Sequence, residues 1–245
     1  MLVLLVACGN DREPPAVRAP DALTGNLTVF AAASLTDAFT DAEPLIEGEH
    51  RALSITFNFA GSQVLVQQIT QGAPADIVAT ADEKTMDALV RADLVEQPKV
   101  FARNSLAIAV APGNPKGVKG LVDLARSDLT VVLADPSVPV GGYAAAALEH
   151  AGVSVEPRSL ELDVKAALAK VTVGEADAAI VYATDVLAAK GKADRVAIVD
   201  ADNQFVAYPI AVVRASGHKR AARELVGAIT TGPGRTTLRA RGFRV

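Results

Sequence analysis

Cysteine occurs once in this 245-residue sequence, at position 8, so no disulfide can form within the chain and no cluster of thiolates can hold zinc. Tryptophan is missing and aromatic residues make up 4% of the chain, too few for a platform on which bases would stack. Histidine is scarce as well. His50, His150 and His218 stand in polar settings, none beside a serine or cysteine in a recognisable catalytic frame. The patterns G-x-S-x-G, H-E-x-x-H and G-x-x-x-x-G-K-[ST] do not occur, and "GPG" at 232–234 lacks the preceding strand that a dinucleotide fingerprint needs. Lysine and arginine are scattered under a net charge of -4, which leaves no basic stripe for nucleic acid. Beyond the amino terminus no run of about 18 apolar residues is long enough to span a bilayer. Neither catalysis nor nucleic-acid binding gains support, and no cofactor or metal cage is expected.

What the sequence does have is a rhythm. Half of its residues are apolar, enough for a two-lobed core. Strand and helix patterns alternate: strands at 27–31, 53–59, 77–80, 106–111, 131–134 and 178–182, with helices at 35–46, 63–71, 85–92, 142–151 and 164–173. Such βα alternation predicts an α/β fold with mostly parallel strands and a ligand crevice at their carboxyl ends. Two apolar runs, "NSLAIAVAPGNP" (104–115) and "FVAYPIAVVR" (205–214), stand outside the rhythm. They either carry the chain to a second lobe and back or add two strands to one large sheet. The stretch at 232–243 reads as a closing helix.

Small and hydroxyl residues recur where helices begin. "TVFAAASLTDAF" (28–39) runs from a strand through three alanines into Ser34; "FNFAGSQVLVQQI" places Gly61 and Ser62 the same way. "DPSVPVGGYAAAAL" sets Val140 beside Gly141 and Gly142, and "ELDVKAAL" starts a helix at Val164. The first N–H groups of a helix lack intrahelical acceptors and lie at the positive end of its dipole, so each start is a natural anion seat. A serine there is also simply a good cap. Four such starts in one α/β chain favour an enclosed anion.

These same segments, with "QGAPADIVATAD", "AAIVYATDV" and "YPIAVV", resemble in order the molybdate-binding proteins of ABC importers, over about residues 27–245. The resemblance implies a type II periplasmic-binding-protein fold: two α/β lobes with mostly parallel sheets, joined by two hinge strands. It places lobe I at 27–105 and 211–245, and lobe II at 106–210. It further implies that molybdate, and tungstate with it, is held by hydroxyl and amide of Ser34 and Ser62, the amides of Val140 and Val164, and the phenol of Tyr182. Molybdenum is then bound only as the oxyanion, through those residues. A monomer serving an ABC permease is expected. A sulfate- or thiosulfate-type receptor is the alternative. A porphobilinogen-polymerising deaminase on the same fold would need a cysteine within the lobes, and there is none.

Residues 1–26 read as a leader and tether. Leu5-Val6-Ala7-Cys8 resembles the lipobox of bacterial lipoproteins, which implies lipidation of Cys8 and an extracytoplasmic protein anchored to the membrane. The apolar run before Cys8 is short and has no basic residue, so the true start is expected upstream.

Overall fold

The computed structural model describes residues 23–245; the expected lipobox and Cys8 lie outside them. The first sheet is built from β1 (Gly25–Ala32), β2 (Leu53–Ala60) and β3 (Ile77–Ala79), followed respectively by α1 (Thr36–Glu49), α2 (Ser62–Thr70) and α3 (Glu83–Arg91). A 3-10 turn, Ala33–Leu35, links β1 to α1. Next comes β4 (Lys99–Val110), then β5 (Val131–Ala134), α4 (Pro139–His150), β6 (Ser159–Glu161), α5 (Val164–Thr172), β7 (Ala178–Tyr182), α6 (Ala183–Ala188) and β8 (Asp194–Ala197). The chain ends with β9 (Phe205–Val212), α7 (Lys219–Thr230) and α8 (Pro233–Ala240).

The pairing repeats itself. In the first sheet β1 lies between β2 and β3, parallel to both, and β9 joins β3 antiparallel. In the second, β5 lies between β6 and β7, parallel to both, and β4 joins β7 antiparallel, with β8 beyond it. The two sheets share β4: its residues 99–105 pair with β9, and Leu106–Val110 pair with β7 and β8. The side chain of Asn203 braces this crossing, its Oδ1 accepting from the Leu106 N–H at 2.9 Å and its Nδ2 donating to the Leu106 carbonyl at 3.1 Å.

Strands covered on both faces explain the continuous apolar runs: every residue of β5 and β7 is buried. In β1 the pleat divides the core. Val29 and Ala31 join the large cluster, while Phe30 packs with Val78, Leu65, Ile69, Met86 and Leu89 under α2 and α3. Asp82 and Asp163 cap α3 and α5, accepting from Thr85 N–H at 2.8 Å and Ala166 N–H at 2.9 Å. The closing helix read at 232–243 is α8, which packs on α1 and α7.

Three features depart from the sequence reading. Leu23 is buried and Gly25 pairs with Leu53, so the folded part starts before residue 27. Residues 205–210 pair with β4 in the first sheet, six residues earlier than the boundary expected at 211. The sequence reading does not include β6, α6, β8 and α7: the strands have three and four residues and α6 has six, too few for a period to show, whereas α7 carries Ala221, Ala222, Leu225 and Ile229 at helical spacing.

The turn from β5 into α4 leaves no room for a side chain at Gly141, where a Cβ would lie 2.0 Å from the Asp135 carbonyl oxygen and 2.5 Å from that of Ala134. We predict that Gly141→Ala lowers stability by about 1–3 kcal/mol or more, whereas Gly227→Ala in α7, with nothing within 4 Å of the new Cβ, is neutral or stabilising. Urea unfolding midpoints compare the two, and equal midpoints would refute the tight turn.

Candidate functional site

All five residues expected to hold the anion lie where a strand of one of the parallel triplets ends and a helix begins. In the first lobe Ser34 follows β1, behind the buried Ala31, Ala32 and Ala33, and Ser62 follows β2. In the second, Val140 follows β5, Val164 follows β6 and Tyr182 is the last residue of β7. Since β1 and β5 are the middle strands of matching triplets, Ser34 and Val140 are topological equivalents, as are Ser62 and Val164. The five are all buried, between 1% and 5% exposed.

The lobes meet at these junctions. Gln63 Nε2 donates to the Leu162 carbonyl at 2.9 Å, and a Cβ on Gly61 would come within 2.6 Å of the same oxygen. The helix α5 packs on the 3-10 turn that carries Ser34. Ser34 Oγ lies 3.1 Å from Tyr208 Oη, and the Tyr182 and Tyr208 rings meet edge to face at 5.9 Å. Ser62 Oγ accepts from the Ala81 N–H at 3.0 Å, which leaves its own proton to donate. The residues before the first turns, Ala32, Gly61 and Val138, provide no capping side chain to the early amides of these helices. Tyr182 Oη is buried with no hydrogen-bond partner among the described residues. Burial pushes its phenol well above the usual range, with Tyr208 and Asp82 adding to the effect, so it keeps its proton and is a donor.

Helix starts, two serine hydroxyls and an unpartnered phenol gathered between two lobes make a receptor geometry, and comparison with known proteins agrees with it. Residues 27–244 match the family described as bacterial extracellular solute-binding protein. The chain belongs to that family. The molybdate-binding protein ModA of Mycobacterium tuberculosis is 38% identical over 240 residues, 98% of this chain and 92% of that protein. Among solved structures, the periplasmic molybdate-binding protein of Azotobacter vinelandii matches with TM-score 0.77 at 18% identity, covering 89% of this chain and 99% of its own. The sulfate-binding protein SubI of M. tuberculosis matches with TM-score 0.80 at 19% identity, over 89% and 86%. At such identities these two speak for the fold alone, which is the type II periplasmic-binding-protein fold.

This solute-binding protein gathers more around the site than its sequence discloses. Tyr208 from β9, Asn104 from β4 and Thr184 from α6 form a buried polar group behind Ser34. Tyr208 lies within the quoted "YPIAVV", but nothing in that run sets a buried phenol apart from a packing residue. Next to Val164, Lys165 reaches across the lobes to Asp37 of α1 at 2.5 Å and to the buried Asp185 of α6 at 3.4 Å. Burial works against the Lys165 charge, yet Asp185 and Asp37 outweigh it and raise its pKa. Two carboxylates thus occupy the cation nearest the expected amides. Among the described residues, no group of His, Cys, Asp and Glu is arranged to hold a metal ion.

Burial also pushes the Asp185 carboxyl up from 3.8 to about 6, against the pull of Lys165 and of the Tyr182 N–H that it accepts. A raised carboxyl pKa means the folded state holds the proton more tightly, so its contribution to stability is present below pH 3.8 and is lost as pH rises through about 6. Asp185→Asn keeps an acceptor for Tyr182 and cannot titrate. Between about pH 4.5 and 7.5 the stability difference should move in favour of the variant by on the order of 1–3 kcal/mol. Thermal unfolding of both proteins across that range measures it; parallel curves would refute the assignment.

Proposed function

We propose that this solute-binding protein captures molybdate, and also tungstate, between its lobes and delivers it as a monomer to the permease of an ABC importer. The observation that carries the reading is the enclosed set of neutral donors: helix-start amides, two serine hydroxyls and a buried, unpartnered tyrosine. Ser34 and Ser62 each give hydroxyl and amide, Val140 and Val164 give amides, and Tyr182 gives its phenol. A shell of donors suits a fully deprotonated dianion, whereas monohydrogen phosphate needs an acceptor for its proton. Neutral donors and helix dipoles offset the loss of hydration without pairing the anion to a fixed cation. That arrangement also suits release at the permease. The near full-length relationship to ModA supports molybdate over sulfate, for which the likeness is one of fold.

Calorimetric titration with molybdate, tungstate, sulfate and phosphate tests the ligand. Ser34→Ala, Ser62→Ala and Tyr182→Phe should each weaken molybdate binding about ten- to hundredfold, the worth of one hydrogen bond to a charged acceptor. Ser34→Asp, which sets a carboxylate against the dianion, should abolish it, and Ser127→Ala on the exposed surface should change nothing. Near-wild-type affinity in Ser34→Asp would remove the site assignment.

We also propose that Cys8, outside the described residues, is lipidated and tethers the domain to the outer face of the cell membrane without taking part in binding. Cys8→Ser in the native host should release the protein from the membrane fraction while leaving molybdate affinity unchanged. Continued membrane association of the variant would overturn the anchor.

A further inference from the structure

The polar group behind Ser34 has a defined direction. Asn104 is 5% exposed, and its Oδ1 accepts from the backbone N–H of Ser105 at 2.9 Å. A backbone N–H can only donate, so the side-chain amide cannot be turned the other way, and its nitrogen must face the remaining partners. That nitrogen donates to Thr184 Oγ1 at 2.8 Å and, at the longer distance of 3.4 Å, to Tyr208 Oη. Tyr208 is fully buried, with its ring wedged edge-on between Tyr182 at 5.9 Å and Phe243 at 5.4 Å, so its hydroxyl has a fixed place. Having accepted from Asn104, the phenol still has its proton to give, and Ser34 Oγ lies within reach at 3.1 Å, where either oxygen can be the donor. Burial raises the Tyr208 pKa far above the ordinary phenol range, so that proton stays on the tyrosine. With Tyr208 donating, Ser34 is the acceptor and its own proton is free to point away.

We propose that Tyr208, oriented by Asn104, is a positioning residue that fixes the Ser34 hydroxyl as a donor toward the bound oxyanion. By occupying one of the two lone pairs of the Ser34 hydroxyl, it also makes the site a poorer acceptor for oxyanions that still carry a proton. This rests on the reading of Ser34 as a ligand-binding residue. Tyr208 itself need not touch the anion. The two residues that set the direction, Asn104 and Tyr208, stand on β4 and β9, the strands that pair where the chain crosses between lobes.

A double-mutant cycle on the full chain, read by molybdate calorimetry, separates this role from direct contact and from general packing. Tyr208→Phe keeps the ring and should weaken molybdate binding about five- to tenfold when Ser34 is present, and less than about twofold in the Ser34→Ala background. Equal losses in both backgrounds, or no loss in either, would overturn the proposal. Insensitivity of binding to Ser34→Ala would instead overturn the site reading, and the proposal with it. Asn104→Ala should give a smaller loss that likewise disappears without Ser34; it decides the matter if circular dichroism shows that Tyr208→Phe does not fold. Phosphate should compete against molybdate more effectively in Tyr208→Phe than in the wild type, and unchanged competition would refute the selectivity.

Discussion

A buried donor without an acceptor is among the costlier groups a protein can hold, and the Tyr182 phenol is one, set among the starts of several helices. Each helix start alone would expose its first amides to water. Here two lobes turn those starts toward each other, and the Tyr182 phenol lies under cover with its donor unmet. The proposed anion would resolve the conflict. The small residues at the first junction, Ala31 to Ala33, suit such a site, because backbone can be approached closely only where side chains are short.

The sheets make that convergence possible. A parallel triplet sends three strand ends to one edge, and two such triplets face one another because β4 belongs to both sheets. In the proposed site the first lobe provides serines, which bring hydroxyls, and the second provides valines, which bring amides. Charge is handled at the periphery. Lys165 sits one residue from an expected ligand amide, yet two carboxylates hold it, and burial makes one of these, Asp185, reluctant to ionise. The donors that face the interior of the site are thereby left neutral.

Much of this was legible in the residues themselves. The apolar runs of β1, β5 and β7 and the hydroxyl or glycine at the following turns mark strand, junction and helix through local chemistry, which sequence records well. The short strands β6 and β8 have too few residues for any period to show. The pairing of residues 205–210 with β4 has no signature in the sequence, because "FVAYPIAVV" is apolar throughout and does not say which sheet it enters. Tyr208 and Asn104 were invisible for another reason. Their roles depend on residues 174 and 80 positions away, Ser34 and Thr184, and pairing at that range leaves no local trace.

The place of β9 has a bearing on how the molecule is made. It lies between β3 and β4, in the interior of the first sheet, although it is the last strand of the chain. The second lobe is one uninterrupted stretch and can organise as soon as it emerges. The first lobe cannot close until the carboxyl-terminal segment arrives to fill the gap, and α8 then seals it by packing on α1. Long-range closure of this kind slows folding and leaves the edges of β3 and β4 open meanwhile. A shortened chain lacking β9 would thus lose the middle of a sheet, and with it the support beneath Ser34.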